Sequence, residues 1–298
     1  MKQRDCVIIA NGGAGGISFP ARRRQGLIRA VSIGYGILTQ GGSSIDAVVQ
    51  AVTILEDVSV FNAGTGSSFN LEGEVEMDAA IMTGDRKFGA VGAITNVKNP
   101  IQTARFVMER TDHLLLCGDN AVRFARCMHQ PFYDPRTREK KRIWRKARQD
   151  MKSDHFKRLC GLNELYGTVG VVAVDRKGLI CVGTSTGGIT LRLPGRVGDT
   201  PLPGAGTYAD THGGVSATGH GEEIMRNMIA FRAVSMMARY RAPVVGKKIM
   251  EHATDNRCQC GLVGIDRRGD VVCVYNTQGM SWCYIKKGRL RVFGTTND

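Results

Sequence analysis

The sequence predicts an α+β fold in which sheets pack together and helices lie outside. Its extended segments come as hairpins, its helical stripes come in separate runs, and lone strands followed by crossover helices are missing. With 298 residues, 42 % hydrophobic content and 38 glycines, the chain is an ordinary globular protein with room for one large domain or two small ones.

The elements follow in order. Cys6–Ala10 is an apolar run of buried-strand type, and Asn11–Gly16 turns it on glycine. Arg24–Gln40 carries Leu27, Val31, Tyr35 and Leu38 at helical spacing, and Gly41-Gly42 supplies a left-handed stop. Ser44 is the expected cap of a second helix lined by Ile45, Val48, Val49, Val52 and Leu55. After the loop Phe61–Ser67, Val75–Met82 and Phe88–Val97 read as a hairpin over Thr83-Gly84-Asp85, and helices follow over Ile101–Arg110 and Asp119–Cys127. Pro131, Asp134-Pro135 and the basic run after them read as a linker, 128–167. Thr168–Asp175 and Leu179–Thr184 form a second hairpin, Glu222–Arg239 a helix on Ile224, Met228, Phe231 and Met236, and Gly261–Ile265 with Val271–Tyr275 a third hairpin.

Net charge is +14, which raises the question of a nucleic-acid partner, but the excess is concentrated. Arg136–Arg158 holds eleven Lys or Arg against Glu139, Asp150 and Asp154, with Trp144 alone for base stacking. That is the pattern of a solvated linker, and no nucleic acid is expected. Nine cysteines, an odd number without a CxxC pair, point to a reducing compartment and no structural metal; Cys258-Gln259-Cys260 reads as two ordinary thiols. The first ten residues match neither a signal peptide nor a membrane span, so a cytoplasmic protein is expected.

Between the linker and a strand start stands Gly167-Thr168. Cutting there makes Thr168 a chain terminus, and an α-amine of pKa ~8 on the same residue can take the proton of its hydroxyl. No histidine is then needed. Alone, a Gly-Thr pair means little, since threonine is at home at a strand start.

The surrounding segments give it weight. Gly26–Ala51, Phe61–Gly64, Gly73–Ala79, Gly167–Gly170, Thr184–Gly188, Gly195–Asp199, Thr218–Glu222 and Asn276–Met280 resemble, in order, the plant-type L-asparaginase and isoaspartyl peptidase family of N-terminal-nucleophile hydrolases, a likeness running from about Val7 to Val292. The resemblance implies a single domain, 1–298, folded as a four-layer αββα sandwich. It also implies self-cleavage between Gly167 and Thr168 into pieces 1–167 and 168–298, and hydrolysis of L-asparagine or β-aspartyl dipeptides through an ester on Thr168.

Residue by residue, it implies Thr186 as the hydrogen-bonding support of the nucleophile and Asn62 as its neighbour. Arg196 would grip the substrate α-carboxylate with its planar fork. Asp199 would meet the α-ammonium, with Val197, Gly198, His220 and Gly221 around the head group. Thr218 and Gly219 would form the oxyanion hole, where each donor typically supplies ~3 kcal/mol. Read without the resemblance, Thr218–Glu222 is a helix start, and His220 is structural.

The resemblance requires no cofactor. It allows a sodium ion held by backbone carbonyls of Leu55, Glu56, Val58, Phe61, Ala63 and Thr65, and it implies a homodimer of two-piece protomers without a membrane partner. Three departures stand out: Asn11 where the family has histidine, Val58-Ser59-Val60 without the proline common before Phe61, and Cys260 in place of one of two glycines. A threonine endopeptidase relative is disfavoured, because Asp199 suits a free α-amine that an internal peptide lacks. The alternative function is an inactive binding protein of the same fold that uses the basic stretch 136–158.

Overall fold

A computed structural model describes residues 5–151 and 167–293. The chain begins with β1 (Val7–Ala14), α1 (Pro20–Thr39), α2 (Ser44–Asp57), the pair β2 (Met77–Thr83) and β3 (Phe88–Ile94), α3 (Pro100–Arg110), β4 (Leu115–Cys117), α4 (Gly118–Cys127) and α5 (Arg138–Gln149). Then come β5 (Val169–Val174), β6 (Ile180–Thr186), β7 (Thr207–Ala209), β8 (Gly213–Gly219), α6 (Gly221–Asn227), α7 (Ile229–Met237), α8 (Ala242–Asp255), β9 (Cys260–Asp266), β10 (Val271–Tyr275), β11 (Met280–Lys286) and β12 (Arg289–Phe293).

Two sheets result. The larger has the order β12-β11-β1-β5-β6-β2-β3-β4 and the smaller β10-β9-β8-β7. The three hairpins expected from sequence are there, as β2–β3, β5–β6 and β9–β10.

Strand alternation explains the packing. In β1, Ile8 and Ala10 join Val169, Val171 and Ala173 of β5 in a core with α1–α4. Val7 and Ile9 point the other way, toward Val172, Val174, Val263 and Ile265 between the sheets. A third core sets Val215, Ala217 and Leu262 of the small sheet against Ile229, Val234, Val245 and Ile249. A strand buried on both faces must be apolar throughout, which is why Cys6–Ala10 shows no alternation.

Several expectations change. Ser43, not Ser44, caps α2: its side chain accepts the Asp46 N–H, while Ser44 N donates to Asp175 Oδ2 at 3.1 Å. The helix expected over Glu222–Arg239 breaks at Met228, held in the left-handed region at φ 48. There the first free N–H groups of α7 find outside partners, Ala230 N at Ala205 O and Phe231 N at Gly204 O.

The linker reading fails over 138–149, which is α5. Thr137 caps it by accepting the Lys140 N–H at 3.2 Å. Trp144 anchors it, its ring 6.2 Å from that of Phe69 and its Nε1 donating to Asn70 O at 2.8 Å. Residues 152–166 of the expected linker, with Lys152, Asp154, Lys157, Arg158 and Cys160, lie outside the described residues. Among the described residues no helix is long and apolar enough to cross a membrane.

Candidate active site

Thr168 stands one residue before β5, where antiparallel pairing sets Val169 opposite Ser185. That register places Thr186 beside it: Thr168 Oγ1 donates to Thr186 Oγ1 at 3.1 Å, and Thr186 Oγ1 also accepts the Gly188 N–H at 3.1 Å. Asn62 braces the same bend. Its Nδ2 donates to Gly188 O at 2.7 Å, its Oδ1 accepts Ser68 N at 2.8 Å, and its carbonyl accepts Gly187 N at 2.8 Å.

The preceding Gly167 is pinned from both sides. A Cβ on it would lie 3.0 Å from Asn62 Cβ, and one on Gly13, at φ +104, would lie 2.5 Å from Gly167 Cα. Asn11 Oδ1 holds that turn by accepting Gly13 N at 3.0 Å. The Asn11 amide thus shapes the turn that packs against Gly167.

The loop after β6 carries Arg196 and Asp199, and two carboxylates from the start of β2 fasten it. Glu76 Oε1 accepts Gly195 N at 2.8 Å and Asp78 Oδ2 accepts Gly198 N at 3.0 Å, one on each side of Arg196-Val197. Val197 turns toward Gly92 rather than into the site. Sequence reasoning missed both carboxylates as site residues, although their motif was recognised; their i, i+2 spacing on one strand face is the signal that could have found them.

Gly221 lies against both Arg196 and Asp199. A Cβ on it would lie 2.6 Å from Arg196 Nη2 and 2.9 Å from Asp199 Oδ1, so only glycine fits where the chain passes against a cation and a carboxylate together. Burial pushes Asp199 up to about 7, against the pull of Arg196. Glu222, which the sequence reading did not single out, contacts Arg196. Arg196 Nε donates to Glu222 Oε1 at 2.9 Å, and Nη2 lies 2.9 Å from the same oxygen.

At the end of β8, Thr218 Oγ1 accepts Ala14 N at 3.2 Å, which leaves its own proton to donate elsewhere. Gly219 follows at φ +139, packed so closely on β9 that a Cβ would come within 2.4 Å of Gln259 O. His220 N donates to Gln259 O, its ring lies 3.8 Å from Glu222 Oε2, and burial lowers its pKa.

Gly167, Thr168, Thr186, Gly188, Ile189, Arg196, Asp199, Gly219 and Gly221 line one narrow cavity. Asn62, Gly198, Thr218 and His220 support its walls rather than line it. A wider groove between α8 and β10, lined by Lys247, Met250, Glu251, Val274 and Tyr275, holds none of the predicted residues.

The loop 55–65 closes on itself, with Val58 N on Leu55 O, Phe61 N on Val58 O and Thr65 N on Glu56 O. Each of these carbonyls keeps a second lone pair, and the buried Glu56 Oε2 has no hydrogen-bond partner among the described residues. The segment therefore fits a hard monovalent cation. Burial raises Glu56 to about 8, while Ser185 Oγ and Ile101 N donate to its Oε1.

The chain is similar to known proteins along nearly its whole length. A family model described as Asparaginase matches residues 4–295. A plant-type L-asparaginase of Pyrococcus abyssi is 43 % identical over 297 residues, covering 95 % of this chain and 97 % of the relative. The isoaspartyl peptidase/L-asparaginase of Homo sapiens is 41 % identical over 304 residues, 98 % and 96 %. That of Xenopus laevis is 40 % identical over 295 residues, 96 % and 94 %.

Proposed function

From the premise that this chain is an amidohydrolase and belongs to the asparaginase family, we propose that it cuts itself between Gly167 and Thr168 and then hydrolyses L-asparagine and β-aspartyl dipeptides on Thr168. The observation that carries the reading is the Thr168–Thr186 hydroxyl pair at 3.1 Å, in the cavity that also holds Arg196 and Asp199.

In the uncut chain, Thr168 Oγ attacks the Gly167 carbonyl carbon and the peptide nitrogen leaves as the Thr168 amine. The resulting ester is released by water. Gly13 and Asn62, packed on Gly167, hold its carbonyl for that attack. Departure of the Gly167 end widens a cavity that it lines in the uncut chain.

The freed amine then takes the Thr168 hydroxyl proton as Oγ attacks the substrate's β-carbonyl carbon. Gly219 N–H and the Thr218 hydroxyl donate to the developing oxyanion, Arg196 and Asp199 hold the α-carboxylate and α-ammonium, and ammonia or an amine departs. Water cleaves the ester and frees aspartate. The chemistry calls on no cofactor. A sodium ion on the carbonyls of Leu55, Glu56, Val58, Phe61, Ala63 and Thr65 would stiffen the loop that carries Asn62.

Three apolar cores separating helices, sheet, sheet and helices support the four-layer αββα sandwich, one domain in two pieces. A homodimer of such protomers in the cytoplasm completes the proposal. The binding-protein alternative finds no favour beside relatives named as enzymes. Intact-mass analysis of aged protein, followed by assay on asparagine and a β-aspartyl dipeptide, tests the reading. A chain that never yields a piece beginning with Thr168 refutes it.

A further inference from the structure

We propose that Glu222 is a specificity-determining residue, whose carboxylate holds one edge of Arg196 and so makes the site favour ligands bearing an α-ammonium over ligands bearing a carboxylate alone. The inference rests on the reading that Arg196 and Asp199 receive an amino-acid head group.

The guanidinium is a planar fork with two usable edges. Glu222 Oε1 takes the Nε–Nη2 edge, at 2.9 Å from both nitrogens. The Nη1–Nη2 edge faces two glycines: a Cβ on Gly198 would lie 2.9 Å from Nη1, and one on Gly221 would lie 2.6 Å from Nη2. Glycine alone fits where the chain passes so close to this edge, and Arg196, Asp199 and Gly221 line the cavity together, while Glu222 holds the guanidinium by its other edge. Gly221 and Glu222 are consecutive, so one bend of the chain supplies both the close approach to Arg196 and the carboxylate.

Charge decides what the cavity accepts. Arg196 sits among Glu222, Asp199 and Asp78, with Arg192 behind them, and Asp78 is already bound by the Gly198 and Ala93 N–H groups. With Glu222 and Asp199 both ionised, one guanidinium faces two carboxylates at the cavity. A ligand carrying a carboxylate alone adds a further negative charge to that excess. A zwitterion adds none and places its ammonium on Asp199. In a partly buried site these differences are weakly screened.

The test is competition against L-asparagine hydrolysis by mature enzyme, using L-aspartate and succinate, which differ by the α-ammonium. Glu222→Gln keeps an oxygen that accepts from Arg196 and removes the charge. The ratio of the succinate to the aspartate inhibition constant is expected to fall about tenfold. If both constants rise together and the ratio holds, Glu222 only positions Arg196, and the proposal is overturned. Glu222→Ala is the second variant; failure of both to fold and mature would make the residue a strut and overturn the proposal as well. Arg196→Lys, run in parallel, separates the two readings. An unchanged KM there rejects the head-group assignment itself, whereas a raised KM with an unchanged succinate ratio in Glu222→Gln rejects only the role of Glu222.

Discussion

In the chemistry proposed for Thr168, its nitrogen is tied in a peptide bond until the chain is cut, so cleavage and turnover would draw on the same hydroxyl. Thr168→Ala is expected to stay one band of full length on a denaturing gel and to release no ammonia from asparagine. Arg196→Lys swaps a planar fork for a point charge and is expected to raise KM at least tenfold with a smaller effect on kcat. Asp199 gives the pH dependence. Its pKa of about 7 means that it loses its charge as pH falls below neutral, so kcat/KM should drop below pH 7, chiefly through KM. In the bound complex the ammonium favours the ionised form, and the limb in kcat should instead report the Thr168 amine. A pH-independent KM between 5.5 and 8, measured on mature enzyme, would count against this placement of Asp199. Thr168, Arg196 and Asp199 could be proposed from sequence because their motifs are short and local. Glu76, Asp78 and Glu222 could not, because each acts across the fold on a loop distant in sequence.

Among the elements, α5 shows where composition misleads. Seven of the twelve residues in Arg138–Gln149 are Lys or Arg, which reads as solvated chain, yet Trp144 packs against the core and gives the helix a foothold. That foothold leads to the site. Trp144 donates to Asn70 O, Asn70 Nδ2 donates to Glu76 Oε2 at 3.1 Å, and Glu76 holds Gly195 beside Arg196. Trp144→Ala is therefore expected to cost about 2 kcal/mol of stability, less than a fully buried aromatic, and to raise KM a few-fold. Denaturant melts and steady-state assays read the two effects separately, and an unchanged KM would cut the link between α5 and the Arg196 loop. The hairpins were readable because each is a local pairing over a glycine turn. The break at Met228 was not, since it is fixed by carbonyls of Gly204 and Ala205 that local sequence does not bring near.

On the scale of the whole molecule, burying ionisable groups and dividing the chain have separate consequences. Asp199 and Glu56 are raised to about 7 and 8 from ordinary values of 3.8 and 4.5, so the folded state holds protons that the unfolded state has lost. Their contribution to stability is full below pH 4 and disappears as pH rises through 7 to 8. The melting temperature is expected to decline across that window, and Glu56→Gln should flatten the decline. The proposed cut after Gly167 would divide a sheet whose strand order interleaves the two pieces: β11 and β12, then β1, then β5 and β6, then β2 to β4. Each residue of Val7–Asn11 is paired on one side with β11 and on the other with β5, both from the second piece, and β2 pairs along its length with β6. Three seams of backbone hydrogen bonds, with apolar cores on both faces, must open together before the pieces can part. Cleaved protein is therefore expected to run as one species in native size-exclusion chromatography and to separate into roughly 18 and 14 kDa pieces under denaturation, in proportion to their lengths. Each piece alone would expose unpaired central strands and should aggregate rather than refold. A first piece that folds by itself, with β1 protected from hydrogen exchange, would show that the seams do not bind the two halves into one cooperative unit.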